Sequence, residues 1–279
     1  PMARILVFDS GVGGLSILRA LQRCADLQQE PHQWLFCSDN AFFPYGTKKE
    51  DELIARVTVV LNALQNQVQL DIIVLACNTA STVALESVRS TLQTPVVGVV
   101  PAIKPAAQLS QTRSIGILAT PGTVNRPYTQ KLIDDFASDC HITRVGSSEL
   151  VWIAEQYLRT GMVDNTELHR ILAPMRDAIA QSKLDTIVLA CTHFPLIIEF
   201  LSEQLPEIRH WVDSGDAIAR RVAWCLQQQE AQPSPPATSP PPNIALFTRL
   251  DENVKALERA LGYFDLTDIQ ALNLPPTKH

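Results

Sequence analysis

Short apolar runs alternate along this chain with longer stretches in which apolar residues recur every three or four positions. Runs rich in Val, Ile and Leu read as strands buried on both faces, and the spaced stretches read as amphipathic helices. Strands are expected at 4–8, 33–37, 71–76, 95–100, 114–119, 141–145, 185–190, 210–212 and 244–248. Helices are expected at 15–24, 50–67, 79–92, 101–109, 125–136, 148–160, 166–181, 195–205, 217–229 and 252–261. Strand and helix in alternation predict parallel βαβ units and an α/β fold.

One pattern occurs twice. Asp71-Ile72-Ile73-Val74-Leu75-Ala76-Cys77-Asn78-Thr79 returns as Asp185-Thr186-Ile187-Val188-Leu189-Ala190-Cys191-Thr192-His193. A repeat at this scale predicts two similar α/β domains with largely parallel sheets, related by a pseudo-two-fold axis, with the active site in a cleft between them. Asp9-Ser10-Gly11 also has a second copy at Asp213-Ser214-Gly215. The first domain is expected to span 1–98 and to be completed by 208–279, with 99–207 as the second. Segment 230–243 is rich in Pro and Ser and reads as an extended surface loop inserted late in the first domain.

Composition narrows the class of function. Of the 279 residues, 46% are hydrophobic, and the net charge is −6. The absence of a basic block argues against a nucleic-acid partner. No apolar run approaches the roughly 20 residues of a membrane span. The first residues reach Asp9 too early for a signal peptide. Six cysteines are scattered without C-x-x-C pairs or zinc spacing to histidine. Free thiols in a reducing cytoplasm fit this usage.

Cys77 and Cys191 are the leading chemical candidates. Each ends an apolar strand just before a helix, where α/β sheets bind ligands. The helix N-terminus offers free N–H groups and positive partial charge, which favour the thiolate. Two opposed thiols suit inversion at carbon, which takes a proton from one face and returns one to the other. Asn78, Thr79, Thr192 and His193 follow the cysteines and can cap helices, bind a carboxylate, or do both. Asp9 and Ser10 end the first strand, where a carboxylate can orient a thiol or hold an ammonium group. Gly11-Val12-Gly13-Gly14 lacks phosphate-loop spacing and suggests close backbone approach to a small ligand. Tyr45, in Pro44-Tyr45-Gly46, is placed to close over a substrate. His193 can support proton transfer at Cys191. Glu149 and Glu155 share one expected helix, and either can reach the site. Cys24, Cys37, Cys140 and Cys225 have no matched partners and read as packing residues.

The chain resembles the glutamate racemase family. The likeness rests on Phe8-Asp9-Ser10-Gly11-Val12-Gly13-Gly14-Leu15, Phe43-Pro44-Tyr45-Gly46, Ala76-Cys77-Asn78-Thr79-Ala80-Ser81 and Gly98-Val99-Val100-Pro101-Ala102. It continues through Ala119-Thr120-Pro121-Gly122-Thr123, Cys191-Thr192-His193-Phe194-Pro195-Leu196 and Val212-Asp213-Ser214-Gly215. The resemblance implies racemisation of glutamate for peptidoglycan synthesis, with Cys77 and Cys191 as the acid/base pair. It implies that Cys77 acts on D-glutamate and Cys191 on L-glutamate. It places substrate contacts at Asp9, Ser10, Tyr45, Gly46, Asn78, Thr79, Thr192 and His193, and a supporting glutamate at Glu155. It implies no pyridoxal phosphate and no metal, and no Lys in a pyridoxal context or metal-site spacing is evident. The muramoyl precursor UDP-N-acetylmuramoyl-L-alanine is an expected activator by the same likeness, and a homodimer is left open. His193 favours glutamate over aspartate, because aspartate racemases of the wider superfamily tend to carry an acidic residue there. A binding role toward DNA gyrase, reported for some family members, has no support in this acidic sequence.

Overall fold

The computed structural model describes residues 2–229 and 239–276. Most of the Pro- and Ser-rich loop, 230–238, therefore lies outside the described residues. The strands are β1 (Arg4–Asp9), β2 (Gln33–Ser38), β3 (Ile72–Leu75), β4 (Val96–Gly98) and β5 (Ser114–Ala119). They continue as β6 (His141–Gly146), β7 (Thr186–Leu189), β8 (His210–Val212), β9 (Ile244–Phe247) and β10 (Asp268–Ala271). Among the described residues these form two sheets, ordered β10-β9-β2-β1-β3-β4 and β6-β5-β7-β8. Every strand pairing among the described residues is parallel.

The chain divides into two compact units, Pro1–Val99 with Gly215–His279, and Val100–Ser214. The return to the first unit therefore comes later than the expected 208. The reason is β8, which pairs with β7 and so belongs to the second sheet. Within each unit the first four strands stand in the order second, first, third, fourth. First and third strands are thus neighbours from which the chain leaves in opposite directions, and such a switch point opens a ligand crevice at the carboxyl ends.

In the first unit, β1 is buried on both faces. Leu6 and Phe8 join a core with Leu53, Val57 and Leu61 of the helix Glu50–Gln67 and Ala80 and Ala84 of Asn78–Thr91. The helix Gly14–Arg23 packs against β1 and against the helix Gly215–Gln228. Each fully buried aliphatic side chain contributes about 1.5–3 kcal/mol, so a strand of continuous apolar residues is held centrally. Gly14 permits the close packing of helix on strand: a Cβ there would lie 3.0 Å from Asp9 Cβ and 3.2 Å from Phe36 Cε2.

In the second unit, Ile115, Ile117 and Ala119 of β5 pack with the helices Ile103–Leu109 and Pro127–Phe136. Gly116 makes room for the Met175 thioether, whose Sδ would lie 2.7 Å from an added Cβ. The expected helix 166–181 is two helices, Asn165–Ile171 and Ala173–Ser182. Pro174 explains the break, since it lacks an N–H and obstructs the preceding turn. Pro195 likewise leaves the next turn as a 3-10 segment, Phe194–Ile197, before the helix Ile198–Gln204. β10 carried no hydrophobic signal: its sequence is DIQA and its residues are half-buried or exposed.

The aspartate that opens each repeat is structural. Asp71 Oδ2 accepts the Arg4 N–H at 2.6 Å, while the Asp71 N–H donates to the Arg4 carbonyl at 3.0 Å. Asp185 holds the matching position beside Ser114, and accepts from Ser110 Oγ at 2.7 Å and the Gln111 and Thr112 N–H groups at 2.8 and 3.1 Å. Burial alone would raise the Asp185 pKa. Hydrogen bonds from Ser110, Thr112, Gln111 and Thr186 outweigh burial and bring it down to about 2. A depressed carboxylate stabilises the fold fully above its unfolded value near pH 4 and loses that contribution as pH falls through about 2. Asp185→Asn is expected to cost roughly 2 kcal/mol at neutral pH. Denaturant titrations of both proteins should show this gap narrowing as pH falls from 5 towards 2; a constant gap would remove the ionic contribution.

Candidate active site

In the first unit, Asp9 ends β1 and Cys77 follows β3, so the switch point brings them to one sheet edge. Asp9 is buried, and its Oδ2 accepts the Gly14 N–H at 2.9 Å at the start of a helix. Cys77 is the N-cap of the helix Asn78–Thr91, and its Sγ accepts the Ala80 N–H at 3.5 Å. A sulfur carrying negative charge uses such a donor better than a neutral thiol does. Ser81 donates from Oγ to the Leu75 carbonyl at 2.9 Å and accepts the Val99 N–H at 3.0 Å, which fixes the turn that presents Cys77. Asn78 is 7% exposed, and its Oδ1 is buried without a hydrogen-bond partner among the described residues. A buried acceptor left open costs stability unless a donor from outside the chain meets it. Thr79 is buried beside it, and Ser10 is buried with its carbonyl accepting Ser38 Oγ at 3.2 Å.

Tyr45 departs from the sequence reading. Its side chain is 1% exposed, and its hydroxyl donates to Asp39 Oδ2 at 2.6 Å. Burial first, then the Asp39 charge and hydrogen bond, push this phenol far above its usual range. The ring therefore belongs to the core and is not a side chain free to close over a substrate. Gly46, next in the same 3-10 turn, is exposed. Asp39 also accepts from Arg56 Nε and Nη2 at 2.8 and 2.6 Å, and from Thr248 Oγ1 at 2.8 Å. Its own N–H donates to the Asp9 carbonyl at 2.9 Å, so this buried ion pair anchors the same sheet edge.

In the second unit, Cys191 follows β7, the third strand there as β3 is in the first. Cys191 Sγ lies 3.8 Å from His193 Nδ1, and His193 Nε2 lies 2.7 Å from Glu155 Oε1. Glu155 is 3% exposed, and its other oxygen accepts Arg159 Nη1 at 2.7 Å. Burial pulls the His193 pKa down, but the hydrogen bonds and charges of Cys191 and Glu155 overcome it and hold the value well above the usual imidazole range. A carboxylate on one ring nitrogen fixes the imidazole's orientation towards the thiol on the other. Thr192 is buried between Cys191 and His193.

The helix Ser148–Thr160 delivers Glu155. Ser147 Oγ accepts the Leu150 N–H at 3.1 Å at its start, and Gly161 ends it with φ of 73°. Its buried positions are Leu150, Val151, Ala154 and Glu155. Glu149 lies off that face and pairs with Arg170 at 2.8 Å on the surface. Helical spacing from Val151 was a signal that separates the two glutamates. Sequence reading missed Arg159, Asp39 and Arg56. Among the described residues, no three His, Cys, Asp or Glu side chains form a group that could hold a metal ion.

A family model for Asp/Glu/hydantoin racemases matches residues 5–222. The chain belongs to this family. It is accordingly an enzyme of the isomerase class, and the two strand-end thiols lie within the matched region. The glutamate racemase of Shewanella loihica is 54% identical over 225 residues, covering 81% of this chain and 82% of that protein. The glutamate racemase of Actinobacillus pleuropneumoniae serotype 7 is 40% identical over 271 residues, 97% of each chain. Among solved structures, Escherichia coli glutamate racemase in complex with L-glutamate and the activator UDP-MurNAc-Ala matches with a TM-score of 0.89 at 42% identity. That match covers 99% of this chain and 100% of the other. No helix among the described residues is long and apolar enough to cross a membrane.

Proposed function

We propose that this racemase interconverts L- and D-glutamate by a two-thiol mechanism, supplying D-glutamate for peptidoglycan in the cytoplasm. The observation that carries the reading is the paired placement of Cys77 and Cys191, each after the third strand of its sheet and each with its own supporting groups. The Cys191 thiolate takes the α-proton of L-glutamate: an S–H bond forms as the Cα–H bond breaks, and the electron pair stays on carbon. The Cys77 thiol then gives a proton to the opposite face and is left as the thiolate. From D-glutamate the roles reverse. The carbanion spreads its charge into the α-carboxylate, where N–H groups at the start of the Asn78–Thr91 helix and the Thr79 and Thr192 hydroxyls are suitable donors. The open Asn78 Oδ1 suits the α-ammonium group, with Asp9 as its counter-charge. Ser10 and Gly46 complete the proposed substrate contacts. No cofactor takes part in this scheme, and preorganised donors with water excluded supply the stabilisation instead.

The complex of the E. coli relative supports UDP-N-acetylmuramoyl-L-alanine as an activator here too. The test is incubation with L-glutamate in D2O, with and without that precursor, following the α-proton by NMR and the enantiomer ratio together. The expected result is proton wash-out with D-glutamate accumulating, faster with the precursor. No exchange from glutamate in either condition would overturn the reading and direct attention to aspartate and other small acids.

A further inference from the structure

We infer that Arg159 is a positioning residue for the Cys191 half of the reaction, acting through Glu155 and His193. The inference rests on the reading of Cys191 as the base toward L-glutamate. Glu155 and Arg159 are one turn apart on the same helix, and Arg159 Nη1 reaches both the Glu155 side chain at 2.7 Å and the Glu155 carbonyl at 3.1 Å. The guanidinium is thereby locked to the helix at two points. It occupies Oε2 and leaves Oε1 to hold His193 Nε2 at 2.7 Å. Side-chain exposure is 15% for Arg159, 4% for Glu155 and 5% for His193, so water competes little for either oxygen.

The charges alternate along this row. With Arg159 positive and Glu155 negative, that pair is already neutral. The imidazolium of His193 then finds its remaining counter-charge in a Cys191 thiolate. Without Arg159, the buried Glu155 carboxylate loses the contact that holds Oε2 and can turn away from His193. Cys191 loses the fixed imidazole that lies 3.8 Å from its sulfur. Cys77 is served by other groups, the Ala80 N–H among them, so the loss falls on one half of the reaction.

The enantiomers of glutamate are equally stable in water, so kcat/KM of any variant falls equally in both directions. The asymmetry shows instead in isotope effects. Arg159→Met is expected to lower kcat/KM by roughly 10²-fold, the cost of a catalytic group misplaced by about 1 Å. The deuterium effect with α-deuterated L-glutamate should rise, and that with α-deuterated D-glutamate should fall, because the Cys191 transfer becomes the slower step. Arg159→Lys keeps the charge and should return both effects towards wild type. Proton NMR gives a readout that needs no turnover: the His193–Glu155 hydrogen bond should give a far-downfield signal in wild type, weakened in Arg159→Met and restored in Arg159→Lys. An unchanged signal, or isotope effects that stay at their wild-type ratio in folded Arg159→Met, would overturn the inference. Failure of wild type to exchange glutamate would instead count against the proposed function, and the NMR signal would still decide the role of Arg159.

Discussion

Cys77→Ser and Cys191→Ser are each expected to lower racemisation by on the order of 10³-fold, within the range that a positioned acid/base group supplies. Serine is nearly isosteric with cysteine, but its hydroxyl ionises far less readily and makes a poor base towards a carbon acid. The two variants should not be equivalent in detail. Cys77 caps a helix through its sulfur, and serine is a favoured N-cap, so Cys77→Ser keeps the helix start intact. Cys191→Ser leaves His193 and Glu155 paired at 2.7 Å with no thiolate to balance the imidazolium. Circular dichroism of the glutamate enantiomers measures turnover directly, and thermal melting controls for folding. Turnover within about twofold of wild type in either variant would end the two-base mechanism, since that is only about 0.4 kcal/mol of barrier against about 4 kcal/mol for the expected loss.

Asp39→Ala is expected to cost about 3–5 kcal/mol, as happens when one partner of a buried ion pair is removed. Asp39 is fully buried and accepts from Arg56, Tyr45 and Thr248, groups on a helix, a turn and the end of β9. Its removal takes the shared acceptor from the Arg56 guanidinium and from the buried Tyr45 hydroxyl. A melting temperature lower by roughly 10 °C is anticipated for a domain of this size. The double variant Asp39→Ala/Arg56→Met should recover part of the loss, because it no longer leaves an unpaired charge. A single variant melting within about 2 °C of wild type would show that Arg56 and Tyr45 find other partners and that the Asp39 carboxylate is not needed to hold this edge.

The fold was legible where the signal is local. The strand 114–119 and the helices 50–67 and 148–160 match the expected bounds because hydrophobic periodicity and caps are properties of neighbouring residues. The repeated Asp-apolar-Ala-Cys run carried its structural meaning too: the same strand order in both sheets puts each run on the third strand. Errors arose where a single residue breaks a pattern, as at Pro174, or where a strand is held by its partner alone, as at β10. The late return to the first unit was hidden because β8 pairs with β7, a contact made between segments distant in sequence.

What the sequence by itself determined was the α/β class, the two thiols at strand ends and the family likeness, all written in short contiguous runs. What only the tertiary structure decided was the company each side chain keeps. Glu155 and His193 are 38 residues apart, yet share a hydrogen bond, while Glu149 on the same helix turns to Arg170 at the surface. Tyr45 sits in a Pro-Tyr-Gly segment that reads as placed over a substrate, yet its phenol is locked to Asp39. The physical reason is common to both cases. Periodicity specifies which face of an element is buried, but a buried polar group must find its partner among elements that packing brings together, and that pairing is made in space.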